Sequence, residues 1–287
     1  MGSTSPPVDG GTVLVTGASA GIGRELACQL APRARTLVLL ARRAGHLEAL
    51  RADLLAQQPH LKVVALPADL SDEDDVQRVL TGAQEQAGPI DVLVNNAGVG
   101  DQALFDQADW PRTRRLLHTN VLAPVQLCAA LVPPMVRRGR GGVLNIGSGA
   151  GLTVMPASAA YAASKRFVDG FSEALRADLA STGVVVTQVC PGPVDSEFDA
   201  VAGSVGGMTG APPQFMRISA AQCAAEAIAG FDRGAPMVFP GRAYRITMRA
   251  LPLMPRAMQR RQAAQSAARV RHADEPGGLT SREGGRT

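Results

Sequence analysis

Thr12-Val13-Leu14-Val15-Thr16-Gly17-Ala18-Ser19-Ala20-Gly21-Ile22-Gly23 decides how the rest of the 287-residue chain is read. The run Thr12 to Thr16 has strand composition and passes straight into three glycines, with a helix pattern over Gly21 to Leu30. Glycine at a strand-to-helix turn lets the backbone come close to a phosphate. A helix N-terminus offers a pyrophosphate its unpaired N–H groups and the positive end of its dipole. The spacing differs from the common GxGxxG form, so plain turn chemistry stands as the alternative reading of these glycines.

Outward from this turn the same alternation continues. Strand candidates follow at Thr36 to Leu40, Leu61 to Leu66, Asp91 to Asn95, Val143 to Gly147, Val184 to Val189 and Pro236 to Phe239, making seven with the first. Between them lie helix-like segments: Gly45 to Gln57, Ser71 to Gln86, Pro111 to Val132, Ala159 to Ala180 and Ala220 to Phe231. Such alternation means an α/β fold with a Rossmann-like, doubly wound parallel sheet of about seven strands and helices on both faces. Ser71 before Asp72, Glu73, Asp74 and Asp75, and Asp109 with Pro111, mark helix N-termini. Pro191 to Phe215 reads as a long flexible loop. The expected organisation is a flexible N-terminus over 1–10, one nucleotide-binding catalytic domain over 11–241, a C-terminal extension over 242–272 and a disordered tail over 273–287.

Composition narrows the function classes. Hydrophobic residues make up 46% of the chain and aromatics only 3%, so the core must be built from Ala, Val and Leu. The net charge of +4 owes much to the arginines after Tyr244, and no basic patch with interleaved aromatics appears, which argues against a nucleic-acid partner. Cys28, Cys128, Cys190 and Cys223 are far apart, without metal-ligand spacing, and read as buried free thiols. The first ten residues lack the apolar run of a signal peptide and no later stretch reaches the length of a membrane span, so the expected location is cytoplasmic.

Sites that prefer NAD usually carry an acid at the end of the second strand, for the ribose 2′-hydroxyl. Here Ala41-Arg42-Arg43 follows Leu40. Guanidinium groups grip phosphate with several directed donors, so Arg42, helped by Arg43, suits the 2′-phosphate of NADP(H) rather than NAD(H), against the alternative of a solvated charge pair. Asn95 and Asn96 end the fourth strand at the carboxyl edge, where open α/β sheets bind ligands. Asn95 is open to two roles there, cofactor contact or an amide tie between strands.

The constellation with most chemical content is Ser148 after the fifth strand, then Tyr161 and Lys165, four apart and therefore on one helix face. A phenol with a pKa near ~10 is a poor acid at neutral pH, but an adjacent ammonium favours the phenolate. Tyr161 then exchanges a proton with a substrate oxygen while hydride moves at the carbonyl carbon, and Ser148 hydrogen-bonds that oxygen as charge develops. The chain has only two tyrosines, and Tyr161 follows Ser148 by thirteen residues.

With these motifs the sequence resembles the short-chain dehydrogenase/reductase family, in its single-domain branch of about 250 residues, over roughly Thr12 to Phe239. The resemblance implies that Gly17, Ser19, Gly21, Ile22 and Gly23 line the pyrophosphate. It places Asp69, in Ala68-Asp69-Leu70, at the adenine, and makes Asn95, Asn96, Ala97 and Gly98 the central-strand signature. It carries over a catalytic tetrad of Asn120, Ser148, Tyr161 and Lys165, with Asn120 supporting a water that links Lys165 to solvent. Pro191 and Gly192, with Val194 and Ser196 after them, match the segment beside the nicotinamide. It also implies a homodimer or homotetramer, which the Ala-rich faces Ala159 to Ala163 and Ala174 to Ala180 would permit.

Two departures stand out. Gly147 replaces a serine common in the family, and Ala20 occupies a position often basic in NADP-preferring members, so cofactor choice rests on Arg42. The expected activity is NADP(H)-dependent reduction of a small, apolar ketone or oxidation of the matching alcohol. The substrate side is formed by Asp195 to Arg217 and by Val154, Met155 and Pro156. An isomerase or dehydratase with tightly held nicotinamide, and a non-catalytic NADP(H)-binding sensor, are the rival readings. In the extension, Arg242, Arg245, Arg249, Arg256, Arg260 and Arg261 interleave with Ile246, Met248, Leu251, Leu253, Met254 and Met258. A lid or subunit contact is preferred there to a basic segment on an acidic membrane, because Pro252 and Pro255 interrupt any continuous helix.

Overall fold

A computed structural model describes residues 6–195 and 214–273. Its strands are β1 (Thr12–Thr16), β2 (Thr36–Ala41), β3 (Lys62–Pro67), β4 (Val92–Asn95), β5 (Gly141–Ile146), β6 (Val184–Val189), β7 (Val194–Asp195), β8 (Ile218–Ser219) and β9 (Met237–Val238). The helices are α1 (Gly21–Leu30), α2 (Ala44–Gln57), α3 (Glu73–Ala87), α4 (Trp110–Leu117), α5 (Ala123–Arg137), α6 (Ala159–Asp178), α7 (Ala220–Asp232), α8 (Arg242–Ala250) and α9 (Arg256–Ala273). Among the described residues a seven-stranded sheet runs in the order β3-β2-β1-β4-β5-β6-β9 with every pairing parallel. Chain order reverses between β1 and β4, which leaves a crevice at their carboxyl ends.

Alternation along each strand divides the core into two layers. Val13, Val15, Leu37, Leu39, Val92 and Val94 pack under α1, α2 and α7 through Leu26, Leu30, Leu47, Leu50, Leu54 and Phe231. Their neighbours Leu14, Val38, Leu40, Leu93 and Val143 pack on the other face with Val76, Val79 and Leu80 of α3 and Leu127, Leu131 and Met135 of α5. Strands buried on both faces need continuous aliphatic runs, and these are the runs that mark the strands in the sequence.

Most element boundaries agree with the sequence reading, and the differences have local causes. Strand β5 begins at Gly141 rather than Val143, because Gly141 and Gly142 lie against Met135 and Phe231 with no room for a side chain. Asp72, not Ser71, caps α3: its carboxylate accepts from the N–H groups of Asp74 and Asp75, while the Ser71 hydroxyl donates to Asp69 at 2.8 Å. Asp109 caps α4 as expected, accepting from Arg112 N at 2.9 Å. Val8 is fully buried and Asp9 pairs with Arg33, so the chain is held from before residue 11. Residues 196–213 of the expected loop and 274–287 of the tail lie outside the described residues. The loop's flanks pair as the two-residue strands β7 and β8.

The single helix expected over Pro111 to Val132 is broken into α4, a π turn over His118–Leu122, and α5, which continues to Arg137. Pro124 has no N–H to return to the carbonyl of residue 120, so a regular α turn cannot close there. Contrary to the sequence reading, Trp110–Arg137 is long and apolar enough to cross a membrane by length and composition. Its apolar side, including Ala123, Leu127, Leu131 and Met135, is packed against the sheet, as a core helix would be. After β9 the chain forms α8, a 3₁₀ turn over Leu251–Leu253 and α9, with the interruption at Pro252 and Pro255.

Candidate active site

At the β1–α1 turn, Gly17 and Gly21 have φ of 66° and 53°, in the left-handed region that favours glycine. A Cβ on Gly23 would overlap the Gly17 carbonyl oxygen and the Asn96 amide. Asn96 fixes this turn to the end of β4 by donating to the carbonyls of Thr16, at 2.9 Å, and Gly17, at 3.3 Å. The Thr16 hydroxyl oxygen accepts from the N–H groups of Asn96 and Ala97, each at 2.9 Å. Helix α1 has no side-chain cap at Ala20, so its first-turn N–H groups are left for another acceptor. Beside them, Arg43 donates to Ser19 Oγ at 3.3 and 3.4 Å, and Arg42 is exposed at the end of β2. A side-chain-free cradle, an uncapped helix start and two guanidinium groups fit a dinucleotide phosphate. Ile22 packs on the core below the turn. Leu70 is buried, and Asp69 Oδ1 accepts from the Ser71 N–H and hydroxyl at 2.9 and 2.8 Å. Gly23→Ala is expected to destabilise the fold by about 1–3 kcal/mol, because the obstructing atom is backbone. Equilibrium urea unfolding reads this directly, and an unchanged midpoint and slope would contradict it.

Across the crevice, Ser148 follows β5 and heads a 3₁₀ turn over Gly149–Leu152, where its Oγ accepts from Ala150 N at 3.1 Å. That turn lies directly on α6: a Cβ on Gly151 would sit 2.6 Å from the Lys165 carbonyl carbon. Helix α6 presents Tyr161 and Lys165 one turn apart, with Nζ 6.0 Å from the Tyr161 ring centroid. Lys165 is only 5% exposed, and its Nζ donates to the Ile146 carbonyl at 3.0 Å. Burial penalises the charged form and pulls its pKa from 10.5 down to about 8.

Asn120 projects from the π turn and is 1% exposed. Its Oδ1 accepts from Val99 N and its Nδ2 donates to Val99 O, each at 2.9 Å. Nδ2 also reaches Ser164 Oγ at 3.1 Å, which donates to the Tyr161 carbonyl at 2.7 Å. Gly98 leaves room at this meeting point, since a Cβ there would lie 3.3 Å from Lys165 Nζ and 3.4 Å from Asn120 Oδ1. A cavity of about 10 Å³, bounded by Asn95, Asn120, Asn145 and Lys165, has room for one water. The four residues of the expected tetrad thus stand at the turn after β5, on α6 and on the π turn, on the same carboxyl edge as the glycine turn.

Asn95, open to two roles in the sequence, ties strands: its Nδ2 donates to Asn145 Oδ1, its register partner on β5, at 2.9 Å. Asn145 donates in turn to Ser172 Oγ at 2.9 Å, so β4, β5 and α6 are joined by one buried chain. Pro191, Gly192 and Val194 follow β6 on the same edge, and Ser196 lies outside the described residues. Cys28 is half-buried, not buried; Cys128, Cys190 and Cys223 are buried, and desolvation pushes their thiols up to about 12. Thr16, Asn145, Ser164, Ser172 and Tyr244 are the participants not singled out in the sequence. Only Asn145 left a signal, as an amide inside an otherwise apolar strand, opposite another amide.

Comparison with known proteins identifies the family. The family model described as short chain dehydrogenase matches residues 11–204. An uncharacterized oxidoreductase of Myxococcus xanthus is 40% identical over 189 residues, 66% of this chain and 74% of that protein. In four such relatives the matched segment spans 56% to 74% of their own length. Among solved structures, a short-chain dehydrogenase from Sphingobium yanoikuyae in complex with NADPH superposes with a TM-score of 0.73 at 31% identity, covering 94% of this chain and 98% of that one. A bulky-bulky ketone specific alcohol dehydrogenase from Comamonas testosteroni gives 0.72 at 29% identity, covering 89% and 94%.

Proposed function

This chain belongs to the short-chain dehydrogenase/reductase family, as an oxidoreductase of alcohol or carbonyl groups that uses a nicotinamide cofactor, and we propose that it works with NADP(H) on a small apolar ketone or the corresponding alcohol. The observation that carries the reading is Lys165, buried with its Nζ beside the Tyr161 ring and next to the turn headed by Ser148.

Bound nicotinamide supplies hydride to the carbonyl carbon in reduction and accepts it in oxidation. Tyr161 delivers the matching proton to the carbonyl oxygen, so that one hydride and one proton convert C=O to CH–OH. Ser148 Oγ hydrogen-bonds that oxygen where negative charge grows, which lowers the barrier more than it stabilises the ground state. The Lys165 ammonium stabilises the phenolate left on Tyr161. Asn120 supports a water relay that returns a proton: its place beside Lys165, and the one-water cavity between them, favour this role.

Cofactor choice is assigned to Arg42 and Arg43. Arg43 already lies over the phosphate turn through Ser19, and no acid stands at the end of β2 to hold a free ribose hydroxyl. Arg42→Ala is expected to raise the KM for NADPH about 10- to 100-fold, the loss of a charge-assisted contact worth about 1.5–3 kcal/mol, with little change for NADH. Equal loss with both cofactors would contradict the assignment. The apolar substrate is supported by Val154, Met155 and Pro156 beside the Ser148 turn, and by the ketone specificity named for the Comamonas protein.

A panel of ketones, aldehydes and acyl thioesters with NADPH, followed by absorbance, tests the reading. Net NADPH consumption supports it. Cofactor fluorescence that stays with the protein through gel filtration, without net consumption, would favour an isomerase or dehydratase instead.

A further inference from the structure

The second tyrosine of the chain does not belong to the tetrad, yet it stands at the same crevice. Tyr244, on α8, is 7% exposed and donates to the Pro191 carbonyl at 3.3 Å. Its ring is slotted between two glycines. A Cβ on Gly192 would lie 2.6–2.9 Å from ring carbons, and one on Gly149 would overlap the phenol oxygen. Gly149 follows Ser148 directly, and Gly192 lies in the segment after β6 at the carboxyl edge. Burial holds the Tyr244 phenol well above the ordinary tyrosine value, with smaller contributions from Cys190 and Tyr161 nearby, so it stays a proton donor. Its hydroxyl is engaged with Pro191, and what it adds to the crevice is a flat apolar ring.

The rest of the extension is anchored at two places. Met248, one turn beyond Tyr244, is also buried and lies by Gly149. At the far end Val270 is fully buried against Leu104 and Ala157, and Arg271 forms a two-pronged ion pair with Asp106 at 2.8 and 3.0 Å. Leu104 and Asp106 belong to the loop after β4, and Ala157 to the loop after β5. The segment is therefore fastened at one end to the turns after β5 and β6 and at the other to the loops after β4 and β5.

We propose that α8 and α9 cap the substrate side of the crevice and that Tyr244 is a specificity-determining residue, its ring forming the wall that limits the bulk of one substituent of the ketone. The assignment rests on the carbonyl-reductase reading above. A rigid ring seated on backbone at both Gly149 and Gly192 has no room to retreat. A ketone with two bulky substituents therefore meets a wall, whereas a methyl ketone turns its small group towards the ring.

The test compares a methyl ketone with a ketone bulky on both sides in wild type, Tyr244→Ala and Tyr244→Leu. It measures kcat/KM with NADPH and ketone affinity for the NADP⁺ complex by calorimetry. Tyr244→Ala is expected to raise the bulky-to-small ratio by about tenfold or more, the order of hydrophobic-pocket discrimination. Tyr244→Leu, which keeps apolar volume at the site, is expected to shift the ratio in the same direction by less, and serves should the alanine variant not fold.

Folded variants with an unchanged ratio would overturn the role of Tyr244 and leave the reductase reading standing. Ketones that bind wild type without turnover would overturn hydride transfer, while the affinity ratio still decides Tyr244. Wild type that neither binds nor reduces any ketone sinks both.

Discussion

Tyr161→Phe is expected to lower kcat for ketone reduction by about 10²- to 10⁴-fold, the usual contribution of a positioned acid or base. The substitution removes one oxygen and keeps the ring, so the placement of Lys165 Nζ over that ring survives. NADPH affinity is expected to stay within about threefold, because uniform binding is not what the phenol provides. The fall must appear in kcat and in kcat/KM alike, as for a group used only in the transition state. A Tyr161→Phe enzyme that kept wild-type kcat would remove the proton donor from the proposed mechanism. One that lost NADPH binding as well would show that the phenol positions cofactor rather than moves a proton.

The sequence was most legible where local pattern and burial coincide. Strands β1, β2 and β6 are aliphatic because both faces are covered, and helix α1 starts on the glycines that the phosphate turn needs, so their limits agree with the structure to within a residue. The juxtaposition of Ser148, Tyr161 and Lys165 was legible because Tyr161 and Lys165 share a helix face and Ser148 follows a strand. What escaped was non-local. Strand β5 begins on two glycines, which carry no strand preference and are explained only by Met135 and Phe231 pressing on them. The π turn follows from Pro124 withholding an N–H, yet nothing in the pattern shows that this rotates Asn120 toward Val99 and Ser164. The link from Asn95 through Asn145 to Ser172 joins residues 50 and 27 apart in the chain. Tyr244 lies 53 residues from Pro191, in a segment whose arginine pattern fits several environments equally well.

Lys165→Met is expected to abolish most activity and, at neutral pH, to stabilise the protein without cofactor. Removing the ammonium leaves the Tyr161 phenolate uncompensated, and a loss of kcat of about 10²-fold or more follows. Stability moves the other way because this lysine is buried at a cost. In the folded chain its pKa is about 8, and in the unfolded chain it returns to the ordinary 10.5. Below pH 8 both states carry the proton and the whole penalty, on the order of 3 kcal/mol, is present. Between about 8 and 10.5 the unfolded state binds the proton and the folded state does not, so this group makes stability rise with pH across that window. Methionine has similar length and no charge, but it leaves the Ile146 carbonyl without its donor, which costs about 1 kcal/mol. The net gain at pH 7 is therefore about 2 kcal/mol, or roughly 4–8 °C in Tm for a domain of this size. The gain should shrink steadily above pH 8, vanish about one unit below 10.5 and turn into a small loss there, where wild type is relieved of the penalty and the variant still lacks the donor to Ile146. Urea unfolding of both proteins at a series of pH values measures the difference. A Lys165→Met protein less stable than wild type at pH 7, or more stable by an amount indifferent to pH, would show that the ammonium is not destabilised by burial. A stability gain coupled to loss of turnover would identify Lys165 as a charge kept in the core for its effect on Tyr161 rather than for the fold.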